Sequence, residues 1–263
     1  MAIVKAIYRY PVKALGAELL DEAEVLEYGI QYDRNWMIVN DENNFVTQRE
    51  KPLLTQFDSS IRNGQLSIRD NRDGDIIRIP IHLKGEDEIN TSVWGSNVTA
   101  QSTDVVMDEW LSTKLEGNYR LVTVGQSFKR HKNVDSKSIP VRFADGYPIL
   151  ILSQASVDNL NEKLDKPVKA DRFRANILID ECPAHTEDIT KSFSTEQLKF
   201  NMIKQCKRCI VINTDQHSGE VHKEPLKTLS SYRKKDNAVM FGVNVYAESF
   251  GTLKTGENMD LEL

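Results

Sequence analysis

The sequence predicts a mainly β (α+β) protein with a few covering helices. Three observations carry this. Short alternating or apolar runs recur along the chain between Gly, Asn and Asp turns. Only three stretches carry the 3.6-residue period of a helix, and no βα alternation of a doubly wound sheet is visible.

The strand candidates come in order. Residues 2–10 alternate, with Ile3, Ala6 and Tyr8 among basic neighbours. Residues 35–40 and 44–49 flank the polar turn Asp41-Glu42-Asn43 and read as a hairpin, as do 65–69 and 76–83 across an Asn/Asp/Gly-rich turn. Further strands are expected at 119–124, 148–152, 176–180, 198–204, 209–213, 240–247 and 258–263. The first helix is expected over 104–115, with Val106, Trp110, Leu111 and Leu115 at helical spacing and Thr103 as N-cap. A second follows Ser153, with Val157, Leu160 and Leu164 on one face. A third runs over 225–233, where Pro225 suits a first helical position. Residues 125–146 are polar, lysine-rich and weakly periodic, and read as a long loop near a boundary between two halves.

Bulk properties narrow the function. With 263 residues, 40% of them hydrophobic, the chain holds enough apolar material for one large or two modest domains. Its net charge of -5 argues against nucleic acid as the main partner, since phosphate neutralisation needs a basic excess. Any anion site must therefore be a local cluster of Lys and Arg. No apolar run reaches the roughly 20 residues of a membrane helix, and the first residues alternate instead of forming a signal-peptide core. Three cysteines do not make a secreted disulfide framework, so a reducing cytoplasm is the expected location.

Cys206-Lys207-Arg208-Cys209 is the sharpest local feature. A thiolate is a strong ligand for soft metals, and flanking cations favour it. Three readings stand side by side: two half-buried cysteines beginning a strand, a redox pair, and a zinc site completed by Cys182 and His185 of Cys182-Pro183-Ala184-His185. Lys13, Arg34 and Arg174 are basic residues beside strands or turns. Arg174 stands two residues before Asn176, which would place both on one strand face; guanidinium suits phosphate and an amide reads a heterocycle edge. Asp145-Gly146-Tyr147-Pro148 is a turn leading into an apolar strand. Phosphate-loop, dinucleotide and nucleophile-elbow motifs are missing, and three cysteines cannot furnish a four-thiolate iron–sulfur cluster.

The ordered set of these pieces resembles the MOSC family, named for the C-terminal domain of molybdenum cofactor sulfurases. In the first half the marks are Tyr10-Pro11-Val12-Lys13, Asp33-Arg34-Asn35-Trp36 and Val46-Thr47-Gln48-Arg49 with Pro52 and Leu53. In the second they are Asp145-Gly146-Tyr147-Pro148, Leu152-Ser153-Gln154-Ala155-Ser156, Phe173-Arg174-Ala175-Asn176-Ile177, Arg208-Cys209-Ile210 and the run from Lys223 to Arg233. The resemblance implies an N-terminal MOSC β-barrel domain over 1–118 and a MOSC domain over 119–263. The pattern is most similar to the branch that reduces amidoximes and N-hydroxylated bases. That implies a molybdenum–pterin cofactor, not pyridoxal phosphate, with Cys209 as metal ligand and catalytic centre. Lys13, Arg34, Arg174 and Asn176, with Gly146, Tyr147, Lys207 and Arg208, would cradle the pterin and its phosphate. It further implies an oxidoreductase of detoxifying type, with small N-hydroxylated substrates and a separate flavin, ferredoxin or haem electron donor. A non-catalytic cofactor carrier or sulfur-transfer module, and a zinc-stabilised β-protein, are the alternatives. One departure is Ala14, where relatives often carry a hydroxyl residue after the lysine; a phosphate hydrogen bond is then lost or supplied from elsewhere.

Overall fold

The computed structural model describes residues 1–263. Its second half is organised by a closed ring of seven strands. In spatial order they are Ile149–Ser153, Ile177–Asp180, Ala2–Arg9, Asn258–Glu262, Ser192–Ser194, Lys199–Lys207 and Ala238–Ala247, the last pairing back onto the first. Ile149–Ser153 and Ile177–Asp180 run parallel, and the other pairs around the ring are antiparallel.

The period-2 pattern explains which side chains fill the ring. Ile151, Ile177, Ile179, Val243 and Val245 point into one core with Val4, Ile7, Phe193 and Phe200. The intervening Leu152 and Leu178 point outward, as does Phe241, where the left-handed Gly242 (φ 75°) breaks the alternation; they meet a second core under the helices Gln154–Asn161 and Leu226–Tyr232, through Val157, Leu160 and Leu229. Ser153 caps the first of these helices as expected, its hydroxyl accepting from the Ser156 N–H.

The first half is built on a four-stranded sheet in the order Trp36–Asn40, Tyr119–Thr123, Ser96–Ser102, Glu88–Val93, and on a three-stranded sheet of Phe57–Arg62, Gln65–Asp70 and Ile76–Pro80. The helix Val105–Leu115 packs Met107, Leu111 and Leu115 into a core centred on Trp36, Leu54 and Phe57.

Several sequence expectations are corrected. Trp36–Asn40 pairs with Tyr119–Thr123, and the expected return strand 44–49 is cut to a short bridge at Phe45–Val39, flanked by the hydrogen bonds Asn40 N–H to the Asn44 carbonyl and Val46 N–H to the Ile38 carbonyl. The cap of the helix Val105–Leu115 is Asp104, whose carboxylate accepts from the Val106 N–H; the Thr103 hydroxyl instead donates to the Leu121 carbonyl. Val106 is exposed and Met107 takes the inward position. Residues 125–146 are not one loop: His131–Val134 and Lys137–Pro140 form a hairpin. Residues 209–213 are not a strand. The Arg208 N–H makes the last rung to Val239, and Ile210–Asn213 then winds into a 3-10 turn that buries Ile212 against the outer core.

Candidate functional site

A side-chain cluster drawn from both halves gathers several of the singled-out residues around Tyr10. Tyr10 is fully buried, its hydroxyl donates to the Ala175 carbonyl and its N–H to Asp33 Oδ1 at 2.9 Å. The guanidinium of Arg34 lies 4.2 Å from its ring centre and that of Arg174 4.4 Å. Both arginines hold left-handed backbone, φ 47° and 54°, so neither lies in a strand. The expected shared strand face of Arg174 and Asn176 is therefore replaced by a turn that delivers Arg174 and a following strand, Ile177–Asp180, that Asn176 introduces.

The two arginines differ in how they are satisfied. Arg34 donates to Asp33 Oδ2 at 2.6 Å and to the Arg174 carbonyl at 3.2 Å. Arg174 enters no ion pair; burial lowers its pKa to about 10. Burial raises the Asp33 carboxyl, with Arg34 opposing. Asn176, 1% exposed, spends its amide on main chain: its Oδ1 accepts from the Leu150 N–H and its Nδ2 donates to the Tyr8 carbonyl, both at 3.2 Å.

Lys13 is 5% exposed, and its ammonium reaches the Phe143 carbonyl at 2.9 Å and the Asp145 carboxylate. Burial pulls the Lys13 pKa down against the pull of Asp145. Asp145 also accepts from the Trp94 indole N–H at 2.9 Å. Partial desolvation acts to raise its pKa, but the Lys13 ammonium and these hydrogen bonds hold the carboxyl below the usual range.

Sequence reasoning missed two members. Arg130 is buried and donates to the carbonyls of Arg142, Ala144 and Asp145 at 2.8, 2.5 and 3.1 Å, fixing the turn; burial lowers its pKa to about 10. Trp94 reaches in from the tip of the hairpin Glu88–Val93/Ser96–Ser102. Arg130 sits in a polar stretch without periodicity, and only the Trp-Gly pair at the hairpin tip marked Trp94. The cluster then holds the cations Lys13, Arg34, Arg130 and Arg174 against the carboxylates of Asp33 and Asp145. That excess of positive charge in a net acidic chain favours an anion.

The cysteine loop adjoins this cluster. Arg208 Nη2 donates to the Phe173 carbonyl at 2.7 Å, next to Arg174, and its Nη1 to Cys206 Sγ at 3.2 Å. Cys209 is exposed and Cys206 half-buried. Lys207 is exposed, and Tyr147 lies under the Lys204 ammonium, 5.0 Å from the ring centre. Gly146 has open space where a side chain would begin. The Cys–His zinc pattern does not assemble: no group of three metal-binding side chains converges anywhere. Cys182 is packed in the barrel core, where burial pushes its thiol up to about 11, and the His185 ring nitrogen Nε2 lies 3.4 Å from Asn159 Oδ1.

A cationic cluster set on the Tyr10 ring, with an exposed thiol on the adjoining loop, sits in a mainly β protein and favours an anionic group. The chain belongs to the MOSC family. The model of the MOSC N-terminal beta barrel domain matches residues 1–118 and that of the MOSC domain residues 139–260. Mitochondrial amidoxime-reducing component 1 of Xenopus laevis is 28% identical over 280 residues, covering 98% of this chain and 81% of the relative. The human protein of that name is 28% identical, covering 97% and 81%. Among solved structures, the YUAD protein from Bacillus subtilis aligns over 98% of this chain and 93% of its own, with a TM-score of 0.43 and 10% identity.

Proposed function

We propose that the cluster binds a molybdenum–pterin cofactor through Cys209 and that the protein reduces N-hydroxylated small molecules. The observation that carries this is the uncompensated guanidinium of Arg174 beside Lys13 and Arg34, adjoining an exposed thiol, in a MOSC chain. The relatives named amidoxime-reducing components, aligned over nearly the whole chain, support the reaction class.

The residues present fit such a group. The buried Nε atoms of Arg130 and Arg208 have no acceptor in the protein, so the cluster has more donors than its own chain satisfies. Arg174 and Arg34 offer planar forks to a phosphate, and Lys13 a point charge. The main chain at Gly146, Tyr147, Lys207 and Arg208 would help hold the pterin. When bound, such a cofactor supplies two-electron oxygen-atom chemistry, taking N–OH to N–H with release of water. Cys209 contributes a soft thiolate, and Arg208 orients the loop by anchoring it to Phe173. Tyr10 excludes water beneath both arginines. Electrons arrive from a flavin, ferredoxin or haem donor protein, in the cytoplasm.

Cofactor-loaded protein with a chemical electron donor is expected to reduce benzamidoxime. Cys209→Ser should lower turnover by more than about a hundredfold, whereas Cys206→Ser stays within a small factor. Full turnover in Cys209→Ser with molybdenum retained sinks the ligand assignment. Bound molybdenum and pterin without any reductase activity favours a cofactor carrier.

A further inference from the structure

Trp94 occupies an unusual position. The register pairs Val93 with Ser96, so Trp94 and Gly95 form a two-residue hairpin loop, with φ 51° and 77°. That turn normally takes Asn-Gly, and a bulky residue with positive φ is strained. Such strain persists where the surroundings over-determine it, often at functional sites. Here the indole is held by the Arg49 guanidinium at 4.2 Å and by the edge of Phe45 at 5.2 Å, and the residue remains 42% exposed. Its N–H points across to the second half of the chain.

There it meets Lys13. The indole N–H and the buried ammonium converge on one oxygen, Oδ1 of Asp145. The Asp145 side chain is 65% exposed, so the carboxylate is gripped from within and open to water outside. Arg130 pins the main chain of Asp145, while Gly146 beyond it is free of packing, so the side chain can turn out without disturbing a core.

We infer that Lys13 and Trp94 form an oxyanion subsite for a phosphate group, and that the carboxylate of Asp145 is an internal anion that fills this subsite and yields to the ligand. A phosphate brings more acceptor oxygens and more charge than a carboxylate, so it satisfies both donors and the surrounding cations better. Trp94 then acts as a phosphate-binding residue, and Asp145 as a latch that keeps Lys13 paired until the phosphate arrives. The inference rests on reading the cluster as the cradle of a phosphate-bearing cofactor, but its chemistry is shared with free phosphate.

The test uses cofactor-free protein and inorganic phosphate, followed by calorimetric titration. Asp145→Asn should tighten phosphate binding about tenfold, and adding Trp94→Phe should weaken it again about fivefold. In the native chain, phosphate should shift the fluorescence of Trp94; Trp36 is buried and Trp110 is bonded to Asp75, so Trp94→Phe should remove the response. Native and variant proteins from a cofactor-competent host, assayed for molybdenum and pterin, separate the two phosphate sources. Lower pterin occupancy in Trp94→Phe, with Asp145→Asn equal to native or above, places the cofactor phosphate in the subsite. The phosphate results without pterin in any preparation uphold the subsite for free phosphate and remove the cofactor reading. Phosphate affinity unchanged in Asp145→Asn, or a native fluorescence response that survives Trp94→Phe, overturns the latch even where the cofactor is bound.

Discussion

Asp108 is a half-buried carboxylate without an ion-pair partner. It sits in the first turn of the helix Val105–Leu115 and accepts the Leu121 N–H at 2.8 Å. Burial raises its pKa to about 6, with that hydrogen bond opposing. A folded value above the ordinary one means the folded state holds the proton more tightly. This contribution to stability is thus fully present below pH about 4 and lost as pH rises through about 6. Asp108→Asn keeps an acceptor and removes the charge. The variant should gain about 1–2 kcal/mol relative to native between pH 4 and 6.5, after discounting for solvent screening. Urea denaturation at a series of pH values checks this, and two parallel stability curves would contradict it. At this scale the site was partly legible. Lys13, Arg34 and Arg174 stood out as basic residues near turns, but only the fold brings the two arginines over Tyr10. Asn176 was legible as a polar residue in the right place, and not as one whose amide ties Leu150 to Tyr8. Cys209 and Cys206 look alike in sequence; exposure and the Arg208 hydrogen bond distinguish them.

Among the elements, barrel closure depends on one glycine. Gly242 has φ +75°, and a Cβ there would stand 2.9 Å from the Ile151 carbonyl oxygen, within the pairing that joins Ile149–Ser153 to Ala238–Ala247. Gly242→Ala should cost about 1–3 kcal/mol. Gly64→Ala is the control: φ is +71° but nothing lies within 4 Å, so only the backbone cost of about 1 kcal/mol applies. Equal losses in urea denaturation would show that the close approach does not matter. Element types were most legible where apolar residues alternate, as in Ala2–Arg9, or form a short unbroken run, as in Ile177–Asp180. The hairpin His131–Pro140 was hidden because its residues are mostly partly or fully exposed, leaving almost no apolar face to read. Glu88–Val93 does alternate, but Thr91 takes one inward position and leaves only Ile89 and Val93 as signal. The run Ile210-Val211-Ile212 failed the other way: three β-branched residues suggest a strand, yet the chain turns after Arg208 to bury Ile212 and Asn213.

For the whole molecule, the domain limits of 1–118 and 119–263 describe sequence segments better than folding units. Ala2–Arg9 fills the gap in the seven-strand ring between Ile177–Asp180 and Asn258–Glu262. A fragment of residues 119–263 alone lacks that strand and should show no cooperative unfolding transition. Adding residues 1–118 in trans should restore one. A fragment that melts cooperatively by itself, followed by circular dichroism, would refute this. The mainly β character and the barrel of the second half were legible from the MOSC resemblance, but the interleaving was not, because pairing between residues so distant leaves no local trace.

The contact of Ala2 with Met259 also sets a schedule. At a synthesis rate of about 5–20 residues per second, roughly 10–50 s separate the emergence of these two residues from the ribosome. Through that interval the apolar side chains of Val4 and Ile7 have no closed ring to enter, and must wait beside a growing chain until Asn258–Glu262 emerges.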